Sequence, residues 1–240
     1  MDPETPPNER DSAASTGPNR PVPDGGSSEL DTLVAELRAE AERDRPTTAT
    51  PDIGIVMGSD SDLDTMMGSE TGRPGAYDAL TRLGFEEQTD AGEPPDTRFS
   101  FETYVVSAHR TPELLYAYAE TAEARGLELL VAGAGGKSAD LPNMTASIAY
   151  PLPVIGVPVQ EKSVSSVIGM PQGAPLVAVD AGKSFNAALS AVQILARQHD
   201  ELHERLVEYH EELKQGVAVT SRELHEMGTE GFRREPSGER

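Results

Sequence analysis

Ile53-Gly54-Ile55-Val56-Met57-Gly58-Ser59-Asp60-Ser61-Asp62 is the stretch on which the fold turns. Five residues without a polar side chain stop abruptly at Gly58-Ser59, and small and acidic residues of the kind that open helices follow. A short apolar run with no alternation is buried on both faces, which requires helices above and below it. Similar runs recur at Phe101 to Val106, Leu127 to Ala132, Val154 to Val159 and Leu176 to Val179. Helical patterns lie between them, most clearly Pro112 to Arg125 and Ser184 to Arg197. The alternation predicts an α/β domain over residues 52–198, with a parallel sheet of about five strands covered on both faces.

Outward from that domain the pattern thins. Residues 1–28 carry 6 of the 19 prolines and almost nothing apolar, so they are expected to be disordered. Residues 29–51 hold Leu30, Leu33, Val34 and Leu37 at helical spacing, then a Pro/Thr linker over 45–51. Met66 to Pro74 and Asp90 to Arg98 read as surface insertions rich in polar residues, Gly and Pro. Residues 199–240 read as a charged C-terminal helical extension, helical over His199 to Lys214 and a thinner tail to Arg240.

The 240 residues include 41 acidic and 20 basic ones, a formal net charge of −21. Such a field repels polyphosphates and anionic lipid, which excludes nucleic-acid and membrane-surface partners. The same excess destabilises a compact chain by self-repulsion unless salt screens it, and at about 1 M the Debye length is only ~3 Å. A halophilic source and a cytoplasmic location are therefore expected. There is no cysteine, so disulfides, thiol nucleophiles and thiolate metal sites are absent. No apolar run approaches the ~18 residues of a membrane span, and Met1-Asp2-Pro3-Glu4 does not open a signal peptide.

Ligands of open parallel sheets bind at the carboxyl ends of the strands, so the residues after each strand are the candidates. After the first strand, Ser59 offers a hydroxyl to a phosphate. Asp62 is suited to sugar hydroxyls, or with Ser61 simply caps a helix. After the second come Ser107-Ala108-His109-Arg110-Thr111-Pro112, with Thr111 read as an N-cap before a first-turn proline. His109 supplies a proton carrier near neutral pH and Arg110 a bidentate anion contact. After the third, Gly133-Ala134-Gly135-Gly136-Lys137-Ser138-Ala139-Asp140 permits close approach of backbone to ligand or to a neighbouring element. His199 and His203 have metal-pair spacing without the glutamate of a zincin motif, and read as a solvated helix face. No metal site, P-loop or dinucleotide fingerprint is found.

In order along the chain, Met57-Gly-Ser-Asp-Ser-Asp62, Ser107-Ala-His-Arg110, Gly133-Ala-Gly-Gly136, Pro153-Val-Ile-Gly-Val-Pro-Val159, Met170-Pro-Gln-Gly173 and Asn186-Ala-Ala-Leu189 resemble the PurE family of purine biosynthesis. The resemblance implies a flavodoxin-like three-layer sandwich assembled as a homo-octamer, with no metal, ATP or organic cofactor. It implies N5-carboxyaminoimidazole ribonucleotide mutase activity, with a phosphoribosyl aminoimidazole as the small-molecule substrate. His109 matches the family's acid/base histidine, and Ser59, Asp62 and Arg110 match its substrate-binding positions. Ser107, Gly135, Gly136 and Lys137 join them as substrate contacts, and Met170 as part of a pocket completed across a subunit interface.

One departure stands out. The bacterial pattern after the glycines is Ala-Ala-His-Leu-Pro-Gly, whereas this chain has Lys137-Ser-Ala-Asp-Leu-Pro-Asn143. Its second histidine is absent, and a basic residue followed by Ser is similar to the animal-type branch, which carboxylates aminoimidazole ribonucleotide directly with carbon dioxide. That activity is the alternative. A non-enzymatic flavodoxin-like receiver or ligand-binding module, built on Asp60, Asp62 and Asp64, is the third reading; it leaves Ser107 to Arg110 unexplained.

Overall fold

β1 spans Ile53–Met57 and all five of its residues are buried. The computed structural model describes residues 28–44, 50–69, 72–89 and 97–234. The N-terminal tail, most of the 45–51 linker and most of the 90–98 insertion lie outside the described residues.

Five further strands join β1: β2 (Phe85–Glu87), β3 (Phe99–Val105), β4 (Leu129–Ala134), β5 (Val154–Pro158) and β6 (Val177–Ala178). All pairings are parallel, in the order β2-β3-β1-β4-β5-β6. The sheet thus has six strands where about five were expected. The extra one, Phe85-Glu86-Glu87, has one apolar residue in three and carries no strand signal; it is held at the edge by β3. Without it, the order is the 2-1-3-4-5 of the flavodoxin-like fold.

Alternation along β1 divides the core. Ile53, Ile55 and Met57 face the layer of α2 (Leu63–Met66), α3 (Ala76–Arg82) and α7 (Ser184–Leu195). Val56 faces the layer of α4 (Pro112–Thr121) and α5 (Leu141–Ile148). α1 (Glu29–Ala41) docks on α4 with Leu37 buried, and Ser28 and Asp31 close its first turn as a reciprocal capping box.

Four expectations change. Met66 and Met67 are buried core residues, so the first insertion begins only after them. The C-terminal helix does not thin at Lys214: α8 runs Asp200–Arg234, kinked at Gly228 (φ 69°). Leu202 is fully buried and Leu206 and Tyr209 pack on the same cluster, so the core extends past residue 198. His199 is not on a solvated face, because its ring packs edge-on against Phe99 and its Nε2 lies 3.6 Å from Glu128.

Candidate active site

Register brings the candidate loops together. Met57 is level with Val105 of β3 and with Gly133 of β4, so the loops after β1, β3 and β4 leave the sheet side by side at the switch point. Between them lies a cleft of about 430 Å³, lined by the loops after β1, β3 and β4 and by Gln160 and Lys162 after β5.

In the β1 loop, Ser59 is the cap: its Oγ accepts from the Ser61 N–H of a single 3-10 turn over Asp60–Asp62. Asp62 makes no capping bond. It is buried instead, and the backbone N–H groups of Gly135 and Ser59 donate to its carboxylate. Burial pushes this carboxyl above the usual range, and those two donors restrain the rise. Asp62 therefore does not cap the helix through its side chain, and an acceptor tied to two loops at the cleft wall is suited to hydroxyl donors of a ligand.

The turn after β3 is built around Ser107. Its Oγ accepts from the Arg110 backbone N–H at 3.2 Å and from Arg110 Nε at 3.4 Å. Arg110 Nη2 donates across the cleft floor to the Gly58 carbonyl at 3.2 Å, fastening this loop to that of β1. Thr111 does not cap α4: its Oγ1 accepts from the Ser107 N–H and donates to the Ser107 carbonyl. Pro112 opens the helix as expected. The side chain of His109 is 61% exposed, and its Nε2 lies 3.1 Å from Oδ2 of Asp140, which is itself 42% exposed.

The glycine-rich stretch separates into distinct tasks. Gly133 belongs to β4, and a side chain there would collide with the Met66 thioether. A Cβ on Gly135 would stand 3.0 Å from Asp62 Oδ1, so the smallest residue lets the carboxylate approach. Gly136 has φ +85°, the left-handed region that favours glycine.

Of the residues expected at the site, Ser59, Asp62, Ser107, His109, Arg110, Gly135 and Gly136 line the cleft. Lys137 and Met170 do not: Lys137 is exposed to solvent, and Met170 packs on the core cluster beneath α4 and α5. Lys162 and Gln160 were missed. The available signal was their place just after β5, at the same sheet edge, where Lys162 is one of only four lysines in the chain.

Residues 52–216 match the AIR carboxylase family. A Pyrococcus horikoshii N5-carboxyaminoimidazole ribonucleotide mutase is 39% identical over 188 residues, covering 76% of this chain and 93% of that protein. The enzyme of that name from Synechocystis is 40% identical over 192 residues, 78% of this chain and 96% of its own length. The Bacillus subtilis one is 41% identical over 182 residues, 72% and 98% respectively. The match takes in all six strands and every loop that forms the cleft, and on that footing the chain belongs to the AIR carboxylase family.

Proposed function

We propose that this chain is an N5-carboxyaminoimidazole ribonucleotide mutase of purine biosynthesis, an isomerase whose acid/base residue is His109. The observation that carries the reading is the joining of two strand-end loops, with His109 and Arg110 on one and Ser59 and Asp62 on the other, in a single cleft. Arg110 and the Ser59 hydroxyl suit the phosphate, and Asp62 suits the ribose hydroxyls. Ser107 sets the aim of Arg110.

The chemistry needs one proton in transit. Protonated His109 gives its proton to the carboxylated exocyclic nitrogen, the N–C bond breaks, and its electron pair stays on that nitrogen as carbon dioxide departs. Carbon dioxide is retained in the cleft. The ring carbon attacks it, forming the new C–C bond, and neutral His109 removes the proton from that carbon. The histidine returns to its starting state, so no acid, base, oxidant or external carboxyl donor is consumed. Gly135 and Gly136 leave room for the substrate close to the backbone.

The direct carboxylase reading rests on Lys137-Ser138, which follow the glycines. The enzyme is read as a homo-octamer acting on small molecules in a salt-rich cytoplasm. Exposed Tyr150, Ile168 and Val177, on segments next to α5 and α6 (Val164–Val167) and in β6, support contact with further copies. Among the described residues no helix is long and apolar enough to cross a membrane.

Two reactions test the assignment in high-salt buffer. One supplies the carboxyamino ribonucleotide without bicarbonate; the other supplies aminoimidazole ribonucleotide with bicarbonate. Turnover far greater in the first is expected, and turnover confined to the second would make the chain a carboxylase. His109→Asn should abolish turnover while leaving ligand affinity, whereas a pure binding module would lose little.

A further inference from the structure

We propose that Asp140 is the positioning residue for His109 and fixes which ring nitrogen exchanges the catalytic proton. This deepens the acid/base role given above to His109 and rests on it. Asp140 stands at the N-cap of α5, yet its side chain makes no capping bond. Both carboxylate oxygens are used elsewhere. Oδ2 faces His109 Nε2 at 3.1 Å, and Oδ1 accepts from Ser166 Oγ at 3.1 Å. Ser166 is in turn tied to α5, because Asn143 Nδ2 donates to its carbonyl at 2.8 Å. Three separate segments thus converge on one carboxylate: the turn after β3, the start of α5, and α6 (Val164–Val167).

A carboxylate can only accept, so the Nε2 that faces it carries hydrogen whether the imidazole is charged or neutral. Neutral His109 is then the Nε2–H tautomer, and Nδ1 is the atom that gains and loses the proton. The bacterial pattern quoted above has histidine where this chain has Asp140, and a neutral histidine can face its partner as donor or acceptor. The carboxylate removes that freedom. Its role is analogous to that of the oriented carboxylate of a catalytic triad, which holds the ring without itself taking the proton.

Solid-state ¹⁵N NMR of histidine-labelled full-length protein reads the tautomer directly, with the His109 signals assigned by their loss in His109→Asn. The expected result is Nε2–H in the neutral wild-type ring and a tautomer mixture in Asp140→Ala. In the mutase assay Asp140→Ala should lower kcat about 10- to 100-fold, with KM held within about twofold. Asp140→Asn should not rescue, because with Ser166 donating to its oxygen the amide NH2 faces Nε2 as a donor and favours the Nδ1–H tautomer, whereas Ser166→Ala should lose less than Asp140→Ala. Nδ1–H in the wild type, or Asp140→Ala with both tautomer and kcat unchanged, would overturn the proposal. The wild-type spectrum needs no variant to fold and no turnover. Absence of activity with either substrate would therefore remove the functional reading and leave the tautomer result to decide this one.

Discussion

Arg125 Nη1 donates to both carboxylate oxygens of Glu102, at 2.8 and 2.9 Å, with both side chains buried between the sheet and α4. Arg125 Nε also donates to Thr121 Oγ1, and the guanidinium lies 4.7 Å over the ring of the fully buried Tyr118. Glu40 of α1 adds a second carboxylate 3.9 Å from Nη1. Burial raises the Glu102 carboxyl, and Arg125 opposes the rise. In such a pair the mutual attraction roughly offsets desolvation, but either ion left alone is very unfavourable.

Arg125→Met should accordingly lower stability by roughly 3–5 kcal/mol, because it leaves Glu102 buried without its partner. The double variant Glu102→Leu/Arg125→Met should recover most of that loss. Denaturant unfolding of the three proteins checks both statements, and a single variant within ~1 kcal/mol of wild type would contradict them.

Glu40 makes α1 part of the same unit, although α1 precedes the segment that matches the family. Leu37, 2% exposed, is its one fully buried apolar side chain. Leu37→Ala should cost about 2–3 kcal/mol of docking. The consequence should be local, because α1 lies outside the sheet and docks chiefly on α4. Trypsin should cleave after Arg38 and Arg43 faster in the variant, with turnover per intact active site unchanged. Equal cleavage rates would mean that α1 is not held by Leu37.

Legibility in the sequence followed burial. Ile53–Met57, Leu129–Ala134 and Val154–Pro158 are covered on both faces, so each reads as an unbroken apolar run and was found within two residues of its observed position. Phe85–Glu87 is an edge strand of three residues with two charges, and only its pairing with β3 makes it a strand. The last helical turns of α8 were missed for a related reason. Residues 213–233 are mostly exposed, and Leu213, Val217, Leu224 and Met227, though at helical spacing, stand singly in a charged background that reads equally as a tail. The meeting of His109, Arg110, Ser59 and Asp62 in one candidate cleft was legible because strand-end loops in this topology face one edge. The contact between His109 and Asp140 was not, since it depends on how the two loops meet across β1 and no local pattern encodes that.

Charge supplies the next prediction. With a net charge of −21, repulsion between carboxylates opposes the folded state, and added salt reduces it. Thermal unfolding midpoints should rise steadily from about 0.1 M to about 2 M potassium chloride, a range over which the Debye length falls from ~10 Å to below ~3 Å. Equal midpoints at the two ends would remove salt adaptation as the reason for the composition.

Asp52 gives stability a pH dependence of definite sign. It lies at the sheet edge opposite the cleft, where its Oδ2 accepts from the Ser100 N–H at 2.7 Å and Arg98 stands 3.6 Å from Oδ1. Burial raises its carboxyl to about 6 from 3.8. The Ser100 bond, Arg98 and His199 act against the rise, and Glu128 adds to it. The folded protein therefore holds this proton more tightly than the unfolded chain. The stabilisation that protonated Asp52 provides is complete below pH 3.8, declines as pH rises through about 6, and is gone above it. Across that window the loss amounts to about 2–3 kcal/mol. Asp52→Asn keeps an acceptor for Ser100 and removes the titration, so the stability difference between variant and wild type should shift in favour of the variant from pH 4 to pH 7. Denaturant midpoints measured at half-unit intervals would show this as a slope confined to the acid side of about pH 6. A difference that does not vary with pH would mean that Asp52 titrates alike in the folded and unfolded chain, with Arg98 and the Ser100 bond offsetting its burial.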